Sequence, residues 1–299
     1  MIIINSNTSI NEKTAVALGF FDGLHKGHRA VINSALNSRY SPAVFTFESS
    51  ASLPKFQKRE NIITSRVKEF YLKKMGVKYI YPADFDEIKG MSGEEFVVKI
   101  LAEKMNAAKI SCGYDFHFGK GGKWNSQDLK KICSELNIEV DIISEQKEND
   151  ERISSTLIRQ LLKDGEIRYA NTLLAQPLTF ILEVVHGHKL GRQFNFPTIN
   201  QYIPADCVLP KHGVYASITY IGDRAYKSVS SIGNRPTFGG DERALLETYI
   251  IDYKGDLYGQ MIRVELIDFL RGQIKFDNKE ELINQMELDK ALVINNYKF

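Results

Sequence analysis

The stretch Leu18–Ile32, LGFFDGLHKGHRAVI, decides how the first half of this chain is read. It opens as the end of an apolar strand, TAVALGF, and closes as a helix, HRAVINSALNSRY, with Val31, Ala35 and Leu36 on one side. The join carries Gly19, Gly23 and Gly27 together with two histidines, His25 and His28. A strand that ends in glycines and hands over to a helix presents backbone N–H groups at the positive end of the helix dipole, which suits phosphate. Imidazoles at that turn add donors for phosphoryl oxygens, and Gly27 lets a ligand approach the backbone closely. The plainer alternative is a tight turn with two solvated histidines. So short a motif recurs by chance, and HKGH alone does not choose.

Outward from that stretch, strand and helix signals alternate. SPAVFTFE reads as a strand and SRVKEFYLKKMG as a helix stopped at Gly76; Ser92 and Glu95 form a capping box ahead of the helical FVVKILAEKM. AKISCG, SQDLKKICSEL and IEVDIIS continue as strand, helix, strand. That alternation predicts a mostly parallel sheet covered by helices on both faces. The opening MIIINSNTSINEK reads as a first strand, without the basic start and long apolar middle of a leader. Apolar runs such as TFILEVV are too short to span a bilayer. With 39 basic and 37 acidic residues the net charge is only +2, so neither nucleic acid nor a membrane is implied as a partner. Cys112, Cys133 and Cys207, odd in number and widely spaced, suggest no disulfide framework or zinc site. They read as buried, reduced thiols of a cytoplasmic protein.

A second stretch, ISSTLIRQLLKDG from Ile153 to Gly165, opens a helix with three consecutive hydroxyl residues where one would cap it. Ser155, Thr156 and Arg159 are placed to ring an anion there, the planar guanidinium clamping oxygens one turn along. An over-capped helix with a surface arginine is the plainer reading. Two positive helix starts on one parallel sheet suit a nucleoside triphosphate.

After Leu174 the texture changes, and a chain of 299 residues suits two domains, read here as 1–174 and 175–299. FILEVVHG, GVYASITYIG, AYKSVSSIG, ALLETYIIDY and MIRVELIDFL are short strand-like runs that predict a barrel or sandwich, closed by the helix KEELINQMELDKALVINNY. In VVHGHKLGRQFNFPTINQ, Gly187 and Gly191 precede Arg192 and allow backbone amides to curl around phosphate. Thr198 and Asn200 alternate with Ile199, so their oxygens share one side, an arrangement that suits Mg²⁺ as well as it suits an ordinary polar strand face. Period two also puts Leu245, Glu247, Tyr249 and Ile251 on one face. A carboxylate among apolar neighbours on an inward face is costly without a partner or a task, and burial raises its pKa toward the range of a general base. A solvent-facing edge-strand glutamate is the alternative.

GFFDGLHKGH followed much later by ISSTLIR resembles the nucleotidylyltransferase superfamily, specifically the N-terminal module of prokaryotic FAD synthetases; DFHFGKGG extends the likeness. Class I aminoacyl-tRNA synthetases share an HxGH-type motif, but their second motif is of a lysine–serine type. The second half resembles riboflavin kinase through GxxxGR, PTxN, GVYA, SIGNRPTFGG, LET, DLYG and FLRGQIKF. The resemblance implies a Rossmann-like α/β nucleotidylyltransferase domain followed by a β-barrel kinase domain with a C-terminal helix. It implies a bifunctional enzyme that phosphorylates riboflavin to FMN and adenylylates FMN to FAD, with ATP as co-substrate and Mg²⁺ at both steps; a chain with one active module and one flavin-sensing module is the alternative. By the same resemblance, Gly19, Phe21, Asp22, Gly23, His25, Gly27 and His28 form the first ATP site, where Ser155, Thr156 and Arg159 hold the leaving phosphates. Asp115, Phe116 and Arg271 are implied to lie near flavin. Gly187, Gly191, Arg192, Thr198 and Asn200 hold the second ATP, Thr198 and Asn200 with its metal, and Glu247 is the implied base. The chain departs from the family pattern at Ser49 and Ser50, at Trp124 and Asn125 where Gly-Asp is usual, and at Asn195 and Ile199.

Overall fold

The computed structural model describes residues 1–5, 7–47, 60–187, 196–236 and 242–297. Ser49, Ser50, Gly191, Arg192 and Asn195 lie outside the described residues. The chain divides into two compact units, Met1–Arg59 with Lys68–Ser155, and Glu60–Val67 with Thr156–Phe299.

In chain order the first half runs β1 (Ile2–Ile3), β2 (Thr14–Leu18), α1 (Lys26–Leu36), β3 (Ser41–Phe47), α2 (Ser65–Met75), β4 (Tyr79–Ala83), α3 (Phe85–Ile88), α4 (Gly93–Glu95), β5 (Ala107–Gly113), β6 (His117–Phe118), β7 (Trp124–Asn125), α5 (Ser126–Glu135), β8 (Glu139–Ile143), β9 (Lys147–Glu148) and β10 (Glu151–Arg152). Six of these strands form the expected parallel sheet in the order β1-β4-β3-β2-β5-β8. Every residue of β2 is buried, as a central strand covered on both faces requires. The strand order reverses between β2 and β5, and in such sheets ligands sit outside the carboxyl ends of the strands at that reversal. The capping box at Ser92 and Glu95 is present. Beyond it Phe96–Lys104 winds as a π-helix and not an α-helix, with the Met105 amide reaching back to the Ile100 carbonyl at 2.9 Å. The wider turn puts Phe96, Val97, Ile100, Leu101 and Met105 all in the core.

The second half continues with α6 (Ser155–Asp164), α7 (Ile167–Leu174), β11 (Leu178–Glu183), β12 (Thr198–Tyr202), β13 (Gly213–Ile221), β14 (Arg224–Pro236), β15 (Glu242–Ile250), β16 (Met261–Arg271) and α8 (Lys279–Asn296). Its six strands pair antiparallel in the order β11-β16-β13-β14-β15-β12. The sheet curls until its end strands meet, where the Val185 amide donates to the Asn200 carbonyl at 2.8 Å. The buried Gln201 amide strengthens the seam by donating to the carbonyls of Leu182 at 2.7 Å and Ile262 at 3.0 Å. One face of the sheet is a closed interior that includes Tyr215, Ile232, Leu246 and a chain of five hydroxyls. Thr219 donates to Ser228, which contacts Ser217, then Ser230, then Thr248, each step 2.8 Å. The other face packs Ala216, Val229, Tyr249 and Ile251 against Val293 and Tyr297 near the end of the chain.

From Thr156 onward, α6 and α7 belong to the second compact unit. The Asn171 side chain donates to the Leu266 carbonyl on β16 at 2.9 Å and accepts from the Leu178 amide at 2.8 Å, and the Lys211 amide donates to the Leu162 carbonyl at 3.0 Å. The polar side chain of Asn171 is therefore a joint between helix and sheet.

In the first unit, Glu12 ties the loop before β2 to the starts of β3 and β4. It accepts from the Lys78 ammonium, the Tyr79 hydroxyl and, at 2.7 Å, the Ser41 hydroxyl. Those donors, Lys78 foremost, hold its carboxyl down at about 2. A carboxyl depressed on folding stabilises fully above its ordinary pKa of 4.5, and the effect is lost as pH falls toward 2. Glu12→Gln is expected to melt below the unmodified protein at pH 7, with the gap closing between pH 4.5 and 2. A gap of constant size across that range would show that the charge is not what holds these segments.

Candidate functional site

The loop from Gly19 to His28 leaves β2 at the reversal of the sheet. Its backbone is unusual: Phe21, Gly23 and Leu24 all have positive φ, at 54°, 85° and 50°. Left-handed backbone at two non-glycine residues costs on the order of 1–3 kcal/mol each, so other contacts must hold it. Phe21 is buried with its ring over Gly19, where a Cβ would stand only 2.8 Å from the ring, so Gly19 is required by contact. The Phe21 ring meets the edge of His28, with centroids 5.5 Å apart. His28 stacks on His25 at 3.6 Å.

The spacing of the two histidines now has a cause. His25 is the N-cap of α1, and its Nδ1 accepts the His28 backbone N–H at 3.3 Å. An N-cap bonds to the third helical residue, and an intervening residue without a side chain leaves the imidazole room. That residue is Gly27, where a Cβ would press on the His25 ring at 3.1 Å. Because Nδ1 accepts, a neutral His25 carries its proton on Nε2. The cap fixes the tautomer. Asp22 is buried, and its backbone carbonyl accepts from the Ser155 hydroxyl at 3.2 Å, which brings the first residue of α6 to the histidine loop. Thr156 and Arg159 follow within the second unit, where Arg159 donates through Nε to the Glu60 carbonyl at 2.6 Å.

Asp115 and Phe116 leave β5, on the other side of the reversal. Asp115 is paired with Arg152 at 2.7 Å, and Phe116 lies stacked with Phe118. Trp124 packs as a core residue: a Cβ on Gly93 or on Gly119 would fall 2.6 Å from its ring. Asn125 caps α5, accepting from the amides of Gln127 and Asp128 while Asp128 returns the bond. An aspartate would cap in the same way, so Asn125 departs from the usual residue without departing from its task.

In the second unit, register brings the expected residues together. Asn200 on β12 pairs directly with Glu247 on β15, and Thr198 pairs with Tyr249. Directly opposed residues share a face, so Thr198, Asn200 and Glu247 are neighbours on one side. That side is not the closed interior that an inward-facing carboxylate implies; the interior belongs to Leu246, Thr248 and Ile250, all buried. Glu247 is half-buried and looks out beside Asn200. Ile199 pairs with Thr248 and so lies on the opposite face from Thr198 and Asn200. Asn200 is 6% exposed, yet its Oδ1 has no hydrogen-bond partner among the described residues. A Cβ on Gly187 would lie 2.6–2.8 Å from the Asn200 amide group. A buried oxygen left unsatisfied beside a glycine cradle, with the Thr198 hydroxyl on the same face, fits an oxygen-seeking cation. Arg271 is committed within the fold, gripping Asp289 of α8 through Nε at 3.1 Å and Nη2 at 2.7 Å.

A family model described as FAD synthetase matches residues 7–157, and one described as riboflavin kinase matches residues 174–296. The chain belongs to the FAD synthetase family. Among its relatives is the bifunctional riboflavin kinase/FMN adenylyltransferase of Listeria monocytogenes, 34% identical over 95% of this chain and 91% of the relative. The Escherichia coli protein of the same description is 31% identical over 96% of this chain and 94% of its own. A solved structure of a macrolide-efflux protein from Streptococcus pneumoniae superposes with a TM-score of 0.85 at 32% identity, covering 99% of both chains. Among the described residues of this FAD synthetase family member, no helix is long and apolar enough to cross a membrane. All three cysteines are buried and free, as expected, and burial pushes the Cys112 and Cys133 thiols up to about 12.

The structure adds residues that the motifs did not indicate. Lys68 and Thr46 both reach the carbonyl of Phe20, and Arg152 answers Asp115. For Lys68 a signal existed: it stands three and four residues before the buried Tyr71 and Leu72, on the apolar face of α2. Nothing in the sequence marks Thr46 or Arg152.

The Gly187 cradle can be tested by steric load. Gly187→Ala forces the Asn200 amide aside and is expected to lower the unfolding free energy of the protein by about 1–3 kcal/mol, the usual cost of overpacking. Urea denaturation checks it, and an unchanged midpoint would show that the amide swings away freely and is not held in the cradle.

Proposed function

We propose that this chain works in the cytoplasm, making FMN from riboflavin and ATP, and FAD from FMN and a second ATP. What supports this reading is that each unit carries one of the expected constellations: the His25-capped helix start on one, the Asn200–Glu247 pair on the other. Both reactions displace at phosphorus, where positioning and charge neutralisation supply most of the rate.

In adenylyl transfer an oxygen of the FMN phosphate attacks the α-phosphorus of ATP, and the bond to the β-phosphate breaks to release pyrophosphate. No protein nucleophile is needed. The Nε2 proton of His25 and the ring of His28 neutralise charge growing on the α-phosphoryl oxygens, while the loop amides from Phe21 to Gly23 cradle the chain of phosphates. Ser155, Thr156 and Arg159 take the β- and γ-phosphates at the second helix start. Asp115, held by Arg152, and Phe116 are assigned to the flavin side. In phosphoryl transfer Glu247 takes the proton of the ribityl 5′-hydroxyl as that oxygen attacks the γ-phosphorus, and ADP leaves. Thr198 and Asn200 would hold Mg²⁺ with this ATP, which supplies charge neutralisation on the phosphate oxygens. Gly187, Gly191 and Arg192 are assigned to the phosphates of this ATP, and Arg271 to the flavin.

Product analysis after mixing the protein with ATP, Mg²⁺ and riboflavin tests the whole scheme: FMN should appear first and FAD after it. No product from either riboflavin or FMN overturns the reading. His28→Ala is expected to abolish FAD formation from FMN and leave riboflavin phosphorylation nearly intact; a large fall in FMN production by a folded variant would contradict two separate sites.

Glu247→Gln keeps size and an acceptor oxygen but cannot take a proton. Riboflavin phosphorylation should drop by about 10²–10⁴-fold, the usual worth of a positioned base. Riboflavin affinity and FMN adenylylation should be preserved. Kinase turnover within a few-fold of normal would reduce Glu247 to a strand residue.

A further inference from the structure

Lys68 is a lysine buried to 6% exposure, and the chemistry described so far does not use it. Its ammonium donates to the Phe20 carbonyl at 2.9 Å and to the Thr46 hydroxyl at 3.3 Å, and lies 4.5 Å from the centre of the Phe20 ring. The Thr46 hydroxyl donates to the same carbonyl at 2.9 Å. Two donors on one carbonyl are more than its satisfaction needs. Burying an ammonium for that purpose is expensive; desolvation outweighs the nearby Asp22 carboxylate and brings this lysine down to about 8. A cost of that kind in a stable fold points to a task.

The residues after Phe20 show what that task is. A carbonyl pinned by two donors fixes the peptide plane between Phe20 and Phe21, and Phe21 is where the backbone turns left-handed. That turn is what lays the Phe21 ring over Gly19 and against His28, and His28 is stacked on His25. The chain of contact runs from ammonium to carbonyl to ring to imidazole without a gap. We propose that Lys68 is a positioning residue for adenylyl transfer: through the Phe20 carbonyl it sets the Phe21–Leu24 turn and with it the place of His28 and the amides that meet ATP. Lys68 touches no reacting atom in this role. The inference rests on the proposed adenylyl transfer at this loop.

Two variants test it in the full-length protein, Lys68→Met and the near-isosteric Thr46→Val, each checked for folding by thermal melting. The first readout needs no activity: the imidazole resonance of His28, assigned by its loss in His28→Asn. Its shift carries the ring currents of Phe21 and His25, and it should move in Lys68→Met, with a smaller move in Thr46→Val. The second readout is kinetic. KM for ATP in FAD formation should rise about tenfold in Lys68→Met and less in Thr46→Val, while KM for FMN and riboflavin phosphorylation stay within twofold. A merely destabilised protein loses active fraction, which lowers apparent kcat and leaves KM alone. An unmoved resonance in folded Lys68→Met, or a moved resonance with unchanged KM for ATP, overturns the proposal. If Lys68→Met does not fold, Thr46→Val decides by the same two readouts. If the unmodified protein makes no FAD from FMN, the functional reading fails instead, and the resonance still judges whether Lys68 places His28.

Discussion

Two donors on one carbonyl set the geometry of the loop that leaves β2. The Thr46 hydroxyl and the Lys68 ammonium converge on Phe20 from β3 and α2, so the strand to one side and the helix packed near it jointly dictate how the chain leaves β2. From there each contact implies the next. The left-handed turn at Phe21 needs Gly19 beneath its ring, the ring meets His28, and the His28 amide is held by the His25 cap. A glycine at position 27 is the last requirement. The motif is thus a set of mutually dependent placements, in which a change at one member is felt at the others.

The second unit reaches a comparable result by different means, because placement there comes from strand register. A shift of one residue between β12 and β15 would send Asn200 and Glu247 to opposite faces. What prevents such a slip is the interior, where Gln201 spans two neighbouring strands with its amide and the closed face is packed to zero exposure at Leu246 and Thr248. The outward face is partly covered by Val293 and Tyr297 and braced where Arg271 grips Asp289.

Much of this is readable from residue order. Strand–helix alternation gives the parallel sheet, because each element carries its own periodicity. HKGH and ISST mark two helix starts, because caps and glycines are local devices whose neighbours are near in sequence. Parity puts Glu247 with Leu245 and Tyr249 correctly, but which face closes into the interior depends on how six strands curl, and a single strand holds no record of that. Lys68 illustrates the same limit. Its place on the buried face of α2 is in the sequence; that a carbonyl 48 residues earlier waits for it is not. The joint at Asn171 also escapes, since it looks like any polar helix residue until β16 lies beside it.

The five hydroxyls inside the curled sheet carry a consequence of their own. A hydroxyl has one proton to give and two lone pairs to accept with, so Thr219 donates to Ser228, while either partner can donate in the bonds that join Ser228, Ser217, Ser230 and Thr248. The members of such a row polarise one another. An alanine in the middle would leave the hydroxyls on both sides of it short of a partner in a place water does not reach, whereas removing neighbouring members together would strand fewer. Sequence drift along this row is therefore expected to come in concerted steps, with β13, β14 and β15 changing as a set.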